Sequence, residues 1–501
     1  MLKEYYLTRA TLISHCPCLA GTAGLLLLLS GSPVKATPPV VAPPPETTTQ
    51  TNQPGQPQTN SGGFFQGLSR RSYFLGDLWG LRKELSKEGI SLNISETSEL
   101  LGNVTGGVKK GFEYDGLTQL DMQLDTQRAW QHHGGTINVS ALQVHGNNLS
   151  SNNLYTLQTA SGIEADRSTR LWELWYQQKF LPEDRLDLKI GQQSLDQEFM
   201  GSLNANIFVN TMFGWAMVPS ADLPGGGPAY PLSDLGIRLR GRPTDSITYL
   251  AGIYNGSPVS NNSGDPQERD SSGTSFPLNG GVLAIAEVQY AYPSLGSLVY
   301  NPKSIPLSHT YKLGAYYDSE EFDDLEYDNT GVSLASPSRT GIPATHRGNY
   351  GVYGVVDQMV WLSPDDPDRS LSFFARAMSQ PQSDRNLVDF SMNAGLVLRD
   401  PIPHIQRDDD TFGIGMGFAN VSNRASALDR DQGFYTGDYT PIRSNETFVE
   451  ATYQYQYTPW CQIQPDIQYV FNPGGGIANP NSIGNRVQDE LVVGVRLNIL
   501  L

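Results

Sequence analysis

From about Ser91 to the last residue, hydrophobic side chains recur at every second position in short segments, and this rhythm limits what the chain can fold into. In Leu117 to Trp130, Leu120, Met122 and Leu124 alternate with Gln119, Asp121, Gln123 and Asp125. Thr447 to Tyr457 sets Val449, Ala451, Tyr453 and Tyr455 against Glu450, Thr452, Gln454 and Gln456. The chain ends with Leu491, Val493, Val495, Leu497, Ile499 and Leu501 on one parity and Gly494, Arg496 and Asn498 on the other. Successive side chains of a strand point to opposite faces, so each segment is a strand with one apolar and one wet face. Gln, Asp, Glu and Arg recur on the wet face strand after strand. That implies a water-filled interior and an all-β, transmembrane antiparallel β-barrel.

Only 38% of the residues are apolar and 17% charged. A soluble chain of this length buries large cores and is usually more apolar. A barrel whose outward residues meet lipid and whose inward residues meet water needs no packed core, and none is expected here. A soluble β-sandwich alternates as well, so composition does not decide between them.

The first residues indicate the compartment. Lys3 and Arg9 precede the apolar run Leu19 to Leu29, and Val34, Lys35 and Ala36 place small residues where a signal peptidase reads. The run is too short to span a bilayer as a helix, so residues 1–36 read as a secretory signal cleaved after Ala36, with a membrane anchor as the alternative. Two of the three cysteines, Cys16 and Cys18, lie inside it, which leaves Cys461 without an intramolecular partner. The formal charge of -17 and the lack of a basic stripe exclude nucleic acid as a partner.

Residues 37–63 are rich in Pro, Thr, Gln and Asn and predict a disordered spacer. Residues 64–90 form an N-terminal helical segment: Leu75, Leu78, Leu81 and Leu85 have helical spacing, and Gly89 is a stop signal. Residues 91–501 carry about sixteen strand candidates, centred near Asn93, Met122, Val139, Tyr176, Leu188, Leu239, Tyr249, Ala286, Leu313, Val355, Phe374, Ala394, Ile414, Tyr453, Ile467 and Val495. Short connections such as Trp130 to Gly135, Leu181 to Asp184 and Thr458 to Trp460 alternate with long ones, as periplasmic turns and outer loops do in such barrels. Tyr292 to Leu307 and Arg399 to Asp410 are long for periplasmic turns.

The stretch FLGDLWGLRKELSKEGI, Phe74 to Ile90, resembles the start of the carbohydrate-selective outer-membrane porins of the OprB type. LDMQLDTQRAW, LWELWYQQKFLPEDRLDLKIGQQSLDQEF and LGIRLRGRPTDSITYLAGIYNG are similar to further segments of that family, so the resemblance runs from Phe74 to Leu501. It implies passive, sugar-selective diffusion across a bacterial outer membrane without cofactor or energy coupling. The implied partners are small sugars, outer-membrane lipid and lipopolysaccharide, and the barrel insertion machinery, with monomer and homo-oligomer both open. Two departures stand out: Leu501 ends the chain where such barrels usually end in Phe, and a spacer stands where cyanobacterial relatives often carry a cell-wall-anchoring domain.

A sugar channel needs charged and amide groups to replace water and aromatic faces for stacking. With Ile237 and Leu239 outward, Arg238, Arg240 and Arg242 line the lumen as a basic ladder. The alternative places Arg242 at the periplasmic rim and pairs all three with inward acids. With Trp172, Leu174 and Tyr176 outward, Glu173, Trp175 and Gln177 face inward, and Trp175 becomes a stacking platform. Reversed parity would put Trp175 in the lipid-facing aromatic belt. Asp121, Asp125, Asp187, Lys189, Arg376 and Arg496 are further inward charges, most of them wall ion pairs.

The long connection Gln192 to Ser233 holds Asp196, Glu198, Phe199, Phe208, Phe213, Trp215 and Asp222 and is expected to fold into the barrel and narrow it. Gly413, Gly415 and Gly417 alternate with apolar residues and mark a strand with a bare inner face. Asp318 to Asp328 reads as a solvated acidic loop, with divalent-cation binding as the alternative. No phosphate loop, HExxH or nucleophile elbow is present, and His132 and His133 lack metal-ligand spacing. An enzyme is therefore not expected. The rival readings are a general or anion-selective porin and a secreted carbohydrate-binding β-protein.

Overall fold

The computed structural model describes residues 68–501 apart from 261–263, 279, 294–306, 367, 403–406, 408 and 483. The signal and spacer assigned to residues 1–63 lie outside the described residues, as does most of the connection after Tyr292. Sixteen antiparallel strands close into one barrel. They are β1 (Ile90–Thr105), β2 (Gly111–Asp125), β3 (Gly135–Gly146), β4 (Ser168–Phe180), β5 (Leu186–Gln193), β6 (Asp234–Gly241), β7 (Ile247–Asn255) and β8 (Val282–Tyr292). There follow β9 (His309–Asp328), β10 (Pro343–Leu362), β11 (Ser370–Ser379), β12 (Val388–Arg399), β13 (Thr411–Val421), β14 (Asn445–Thr458), β15 (Cys461–Phe471) and β16 (Glu490–Leu500). Every expected strand centre falls within a strand. Ser95 of β1 faces Leu500 of β16, so the last strand closes on the first and no backbone edge is left in the bilayer.

The outer wall is apolar at mid-height, where Ile190, Ile237, Leu313, Leu396 and Ile414 are exposed. Tyr249, Tyr292, Trp361 and Tyr457 ring the end with short turns, and Phe112, Tyr114, Phe390 and Phe471 lie toward the other end. Two aromatic girdles flanking an apolar band are the outer surface of a membrane barrel.

The N-terminal helix is shorter than the leucine spacing predicts. It spans Leu81–Lys87, because Trp79 (φ 57°) and Gly80 (φ 93°) take left-handed backbone just before it. It sits across the β1–β16 seam. Arg82 packs over the Tyr73 ring at 3.9 Å and donates to the carbonyls of Gly76 (2.5 Å), Leu501 (2.6 Å) and Leu92 (3.3 Å). Leu501 is thus fixed through its backbone.

The interior corrects the expectation of a coreless lumen. A cluster of buried apolar side chains fills much of it, joining Phe199, Phe208, Met212, Phe213 and Trp215 from the connection 194–233 to Tyr316, Tyr353, Phe374 and Phe448 from the wall. Phe208 and Phe213 stack at 4.2 Å, and Phe374 and Phe448 meet the Phe213 ring edge-on at 5.7 and 5.4 Å. The connection 147–167 folds inward as well: Leu154, Gln158, Ala160, Ser161 and Glu164 are buried.

The bare face of β13 is therefore covered. A Cβ on Gly415 would lie 2.7 Å from the Phe213 ring and 3.0 Å from the Phe208 ring. Gly415→Leu is expected to overpack this contact at a cost of about 1–3 kcal/mol. The measurement is unfolding temperature in detergent together with open-channel current noise; no change in either would mean that the aromatic loop does not rest on β13.

The acidic stretch Asp318 to Asp328 is the upper half of β9 and not a loop. Its inward carboxylates are engaged by protein groups. Asp324 pairs with His346 at 2.8 Å, Glu326 with Arg424 at 2.7 Å, and Asp328 accepts the amides of Thr330, Val332 and Thr340.

Candidate functional site: the narrowed lumen

Strands β8–β16 use their inward polar residues to hold the inserted backbone. Glu450 accepts the amides of Val209 (2.6 Å) and Asn210 (3.0 Å), and Glu446 those of Leu157 (2.8 Å) and Gln158 (2.7 Å). Glu287 accepts from Met200 N at 2.9 Å, and Asp357 from Ser202 Oγ at 2.6 Å. Gln464 and Gln468 donate to the carbonyls of Ile207 (2.6 Å) and Ala160 (2.8 Å), and Lys312 to that of Gly201 (2.8 Å). Connections that hold only short helical turns, such as Met217–Asp222, leave many backbone donors and acceptors that must be satisfied once buried, and the wall satisfies them. Sequence reasoning missed these residues as anchors. Alternation exposed their inward parity, but nothing in a local pattern names a partner some 240 residues away.

Arg376 and Arg496 belong to this set. Arg376, 2% exposed on β11, donates to the carbonyls of Met200 (3.1 Å), Gly214 (2.6 Å) and Met212 and to Asn393 Oδ1 (3.1 Å). Arg496 pairs with Glu99 across the β1–β16 seam and reaches the Val209 carbonyl at 3.3 Å.

The opposite side, β4–β6, carries a compact charge cluster. The register sets Lys189 beside Arg238 and Asp187 beside Arg240. Arg238, 1% exposed, binds Asp187 and also Glu198 from the inserted connection, with Nε 2.6 Å and Nη2 3.0 Å from the two Glu198 oxygens. Arg240 Nε lies 2.6 Å from the other Asp187 oxygen, and Lys189 pairs with Glu198. Burial raises the Glu198 pKa, but Arg238, Lys189 and Arg240 more than offset it and hold the carboxyl well below the usual range. Lys189 also sits 4.4 Å from the centre of the Trp175 ring, whose Nε1 donates to Glu173 at 3.1 Å. Glu173 in turn accepts the Ser194 amide at 3.0 Å, which fixes the start of the loop.

Several sequence-based placements need correction. Arg242 lies past the end of β6, at the short-turn rim, where it donates at 3.0 Å to the carbonyls of Glu183 and Asp184. Arg238 and Arg240 are not a bare basic ladder, because Asp187 and Glu198 interleave with them. Trp172 points inward: a β-bulge between Ser140 and Ala141 shifts the parity of β4 there, and the ring meets Tyr230 edge-on at 6.3 Å. Asp125 caps the short helix Thr126–Trp130 at the rim, while Asp121 faces inward and accepts both of its 3.0 Å bonds from Gln119. Asp196 is taken up by Ser194 Oγ (2.5 Å) and Gln197 Nε2 (3.2 Å), and burial raises its pKa to about 6.

A closed sixteen-strand barrel with a lipid-compatible outer wall and a lumen narrowed by its own connections is a diffusion channel of the porin class. The model of the carbohydrate-selective porins, OprB family, matches residues 109–501. The chain belongs to that family and is an outer-membrane sugar porin. Porin B of Pseudomonas aeruginosa is 25% identical over 443 residues, covering 85% of this chain and 90% of that one. A putative porin, QuiX, of Acinetobacter baylyi is 22% identical over 430 residues, covering 81% and 89%. The fold matches the high-pH structure of Pseudomonas putida OprB with a TM-score of 0.73 at 23% identity, over 86% of this chain and 99% of that one.

Proposed function

We propose that small sugars diffuse passively along the lumen face of β2–β6, past Asp121, Trp175 and the cluster of Lys189, Glu198, Arg238, Asp187 and Arg240. The observation that carries this reading is the interleaving of opposite charges beside an indole ring where a connection narrows the lumen. Alternating donors and acceptors serve hydroxyls, which both give and take hydrogen bonds, and the near balance of charge favours a neutral solute over an anion. Lys189 occupies one face of Trp175 and the indole is 6% exposed, so a sugar ring would meet only the accessible part of the indole. Sugars would enter from the outside, with lipid and lipopolysaccharide around the wall. Residues 1–36 would direct secretion and be removed, and the barrel insertion machinery would then place the barrel in the outer membrane.

The test is single-channel current in planar bilayers with sugars as blockers. Trp175→Ala is expected to weaken sugar block about ten-fold, corresponding to about 1–1.5 kcal/mol of aromatic contact. Block by phosphate in place of sugar would favour the anion-selective reading. Sugar block equal to that of the unmodified channel would remove Trp175 from the path.

A further inference from the structure

Every pair of neighbouring strands in the barrel is joined in sequence by a connection at one end, except β1 with β16. A connection keeps its two strands close, so a frayed pair recloses at once, and the β1–β16 seam has no such tether. Its register runs from Ser95 opposite Leu500 to Thr105 opposite Leu491, with an irregularity between Asn103 and Thr105. At the short-turn end β1 outruns its partner. Ile90 to Ile94 pair with Leu124 to Leu120 of β2 on one side, while on the other β16 stops at Leu500 and the Leu501 amide reaches the Ile94 carbonyl at 2.9 Å. Such an edge is the place where a closed sheet opens.

Residues 68–87 stand where a turn would join the two strands. Trp460, in the turn between β14 and β15, donates from Nε1 to the Leu68 carbonyl at 2.8 Å and meets the Phe74 ring at 4.9 Å. The Phe74 amide donates to the Leu500 carbonyl at 2.7 Å. Arg82 then spans the gap, with Nη2 2.6 Å from the Leu501 carbonyl and Nε 3.3 Å from that of Leu92 on β1, while Nη1 binds Gly76 of the segment itself at 2.5 Å. Farther along, Ser86 offers its carbonyl (2.6 Å) and hydroxyl (3.0 Å) to Arg128 of the turn between β2 and β3. The segment thus runs from the short turn on one side of the seam to the short turn on the other. Trp79 (φ 57°) and Gly80 (φ 93°) turn the chain between Phe74 and Arg82, and a bulky residue takes left-handed backbone only where its surroundings impose it.

We propose that residues 68–87 are a strap that locks the closed seam, replacing by hydrogen bonds the covalent link that β1 and β16 lack. This gives the stretch FLGDLWGLR a use in this chain: Phe74 and Arg82 grip the strand ends, and Trp79 and Gly80 aim them. The contacts fall on strand ends and turns, and none involves the charge cluster around Arg238. The proposal rests on the barrel and not on the solute, so the outcome at Trp175 leaves it untouched.

The test is the rate at which the purified full-length porin loses its compact, fast-migrating form in SDS at a fixed raised temperature. Hydrogen bonds from a charged donor are the strong ones, so Arg82→Ala is expected to speed this loss about ten-fold or more, with Phe74→Ala acting in the same direction. Lys87→Ala, whose partner Glu84 lies in the strap itself, is expected to leave the rate unchanged. Hydrogen exchange in Arg82→Ala should rise in residues 90–105 and 490–500, the two strands of the seam, and not in β10 and β11 on the far wall. If Arg82→Ala fails to assemble, a protease site inserted between Lys87 and Glu88, both exposed, is cut after the barrel has formed, and the cut barrel is expected to unfold faster than the uncut one by a similar factor. An unchanged rate in Arg82→Ala or, where that variant does not assemble, in the cut barrel overturns the proposal. Exchange that rises equally in β10 and β11 overturns it as well.

Discussion

Arg376→Ala is expected to raise single-channel conductance several-fold, make the open state flicker, and abolish most sugar block, while the barrel remains folded. The guanidinium is the meeting point of the inserted connection, bonded to the carbonyls of Met200, Met212 and Gly214. Hydrogen bonds to a charged donor contribute about 1.5–3 kcal/mol each, so losing several at once weakens the hold on the loop far more than a surface change would. The wall loses no ladder bond, since β11 pairs with β10 and β12 through its backbone. Arg376→Lys should fall between, because one ammonium cannot reach three carbonyls in the planar spread a guanidinium offers. Conductance and sugar block both unchanged in Arg376→Ala would show that the loop holds its place without this residue.

The second large effect is expected at Arg238. Arg238→Ala leaves Asp187 and Glu198 facing each other, with Arg240 and Lys189 as their remaining counter-charges. Removing one partner of a buried ion pair costs about 3–5 kcal/mol, and here one cation serves two carboxylates. The lumen loses one positive charge at its narrow part, so the channel should turn toward cations. The zero-current potential under a salt gradient reads this directly, and sugar flux should fall with it. Arg238→Lys is expected to keep the charge but not the fork that binds both carboxylates, restoring ion selectivity more fully than stability. A reversal potential identical to that of the unmodified channel would place the cluster outside the conducting path.

All sixteen strands were legible in the sequence because strand parity is a local property: side-chain direction alternates whatever the strand is paired with. Parity also placed Arg238, Arg240, Glu173 and Trp175 on the inner face. It failed at Trp172, where a one-residue bulge shifts the alternation in β4, and such a bulge depends on pairing with β3. It failed at Arg242, where the strand stops one residue earlier than the pattern of arginines suggested. The helix was overextended because a left-handed Trp79 cannot be read from leucine spacing.

Inward polarity was read as wetness, and here the difference between sequence and structure is chemical. Glu446, Glu450, Gln464 and Gln468 are polar because buried loop backbone needs partners, and not because water reaches them. The same misreading hid the inward fold of 147–167, a stretch of small and polar residues whose amides and carbonyls are taken up by β14 and β15. Glu96 shows the reverse case. The register across β16, β1 and β2 puts this carboxylate on the outer wall.

The sequence by itself determined the barrel, its strand number and the family, since period-two patterning and short motifs are carried by neighbouring residues. The tertiary structure alone decided how the lumen is filled, which charges neutralise one another and which face is left polar toward the membrane. Those depend on groups hundreds of residues apart that meet only when the barrel closes and its connections fold inside.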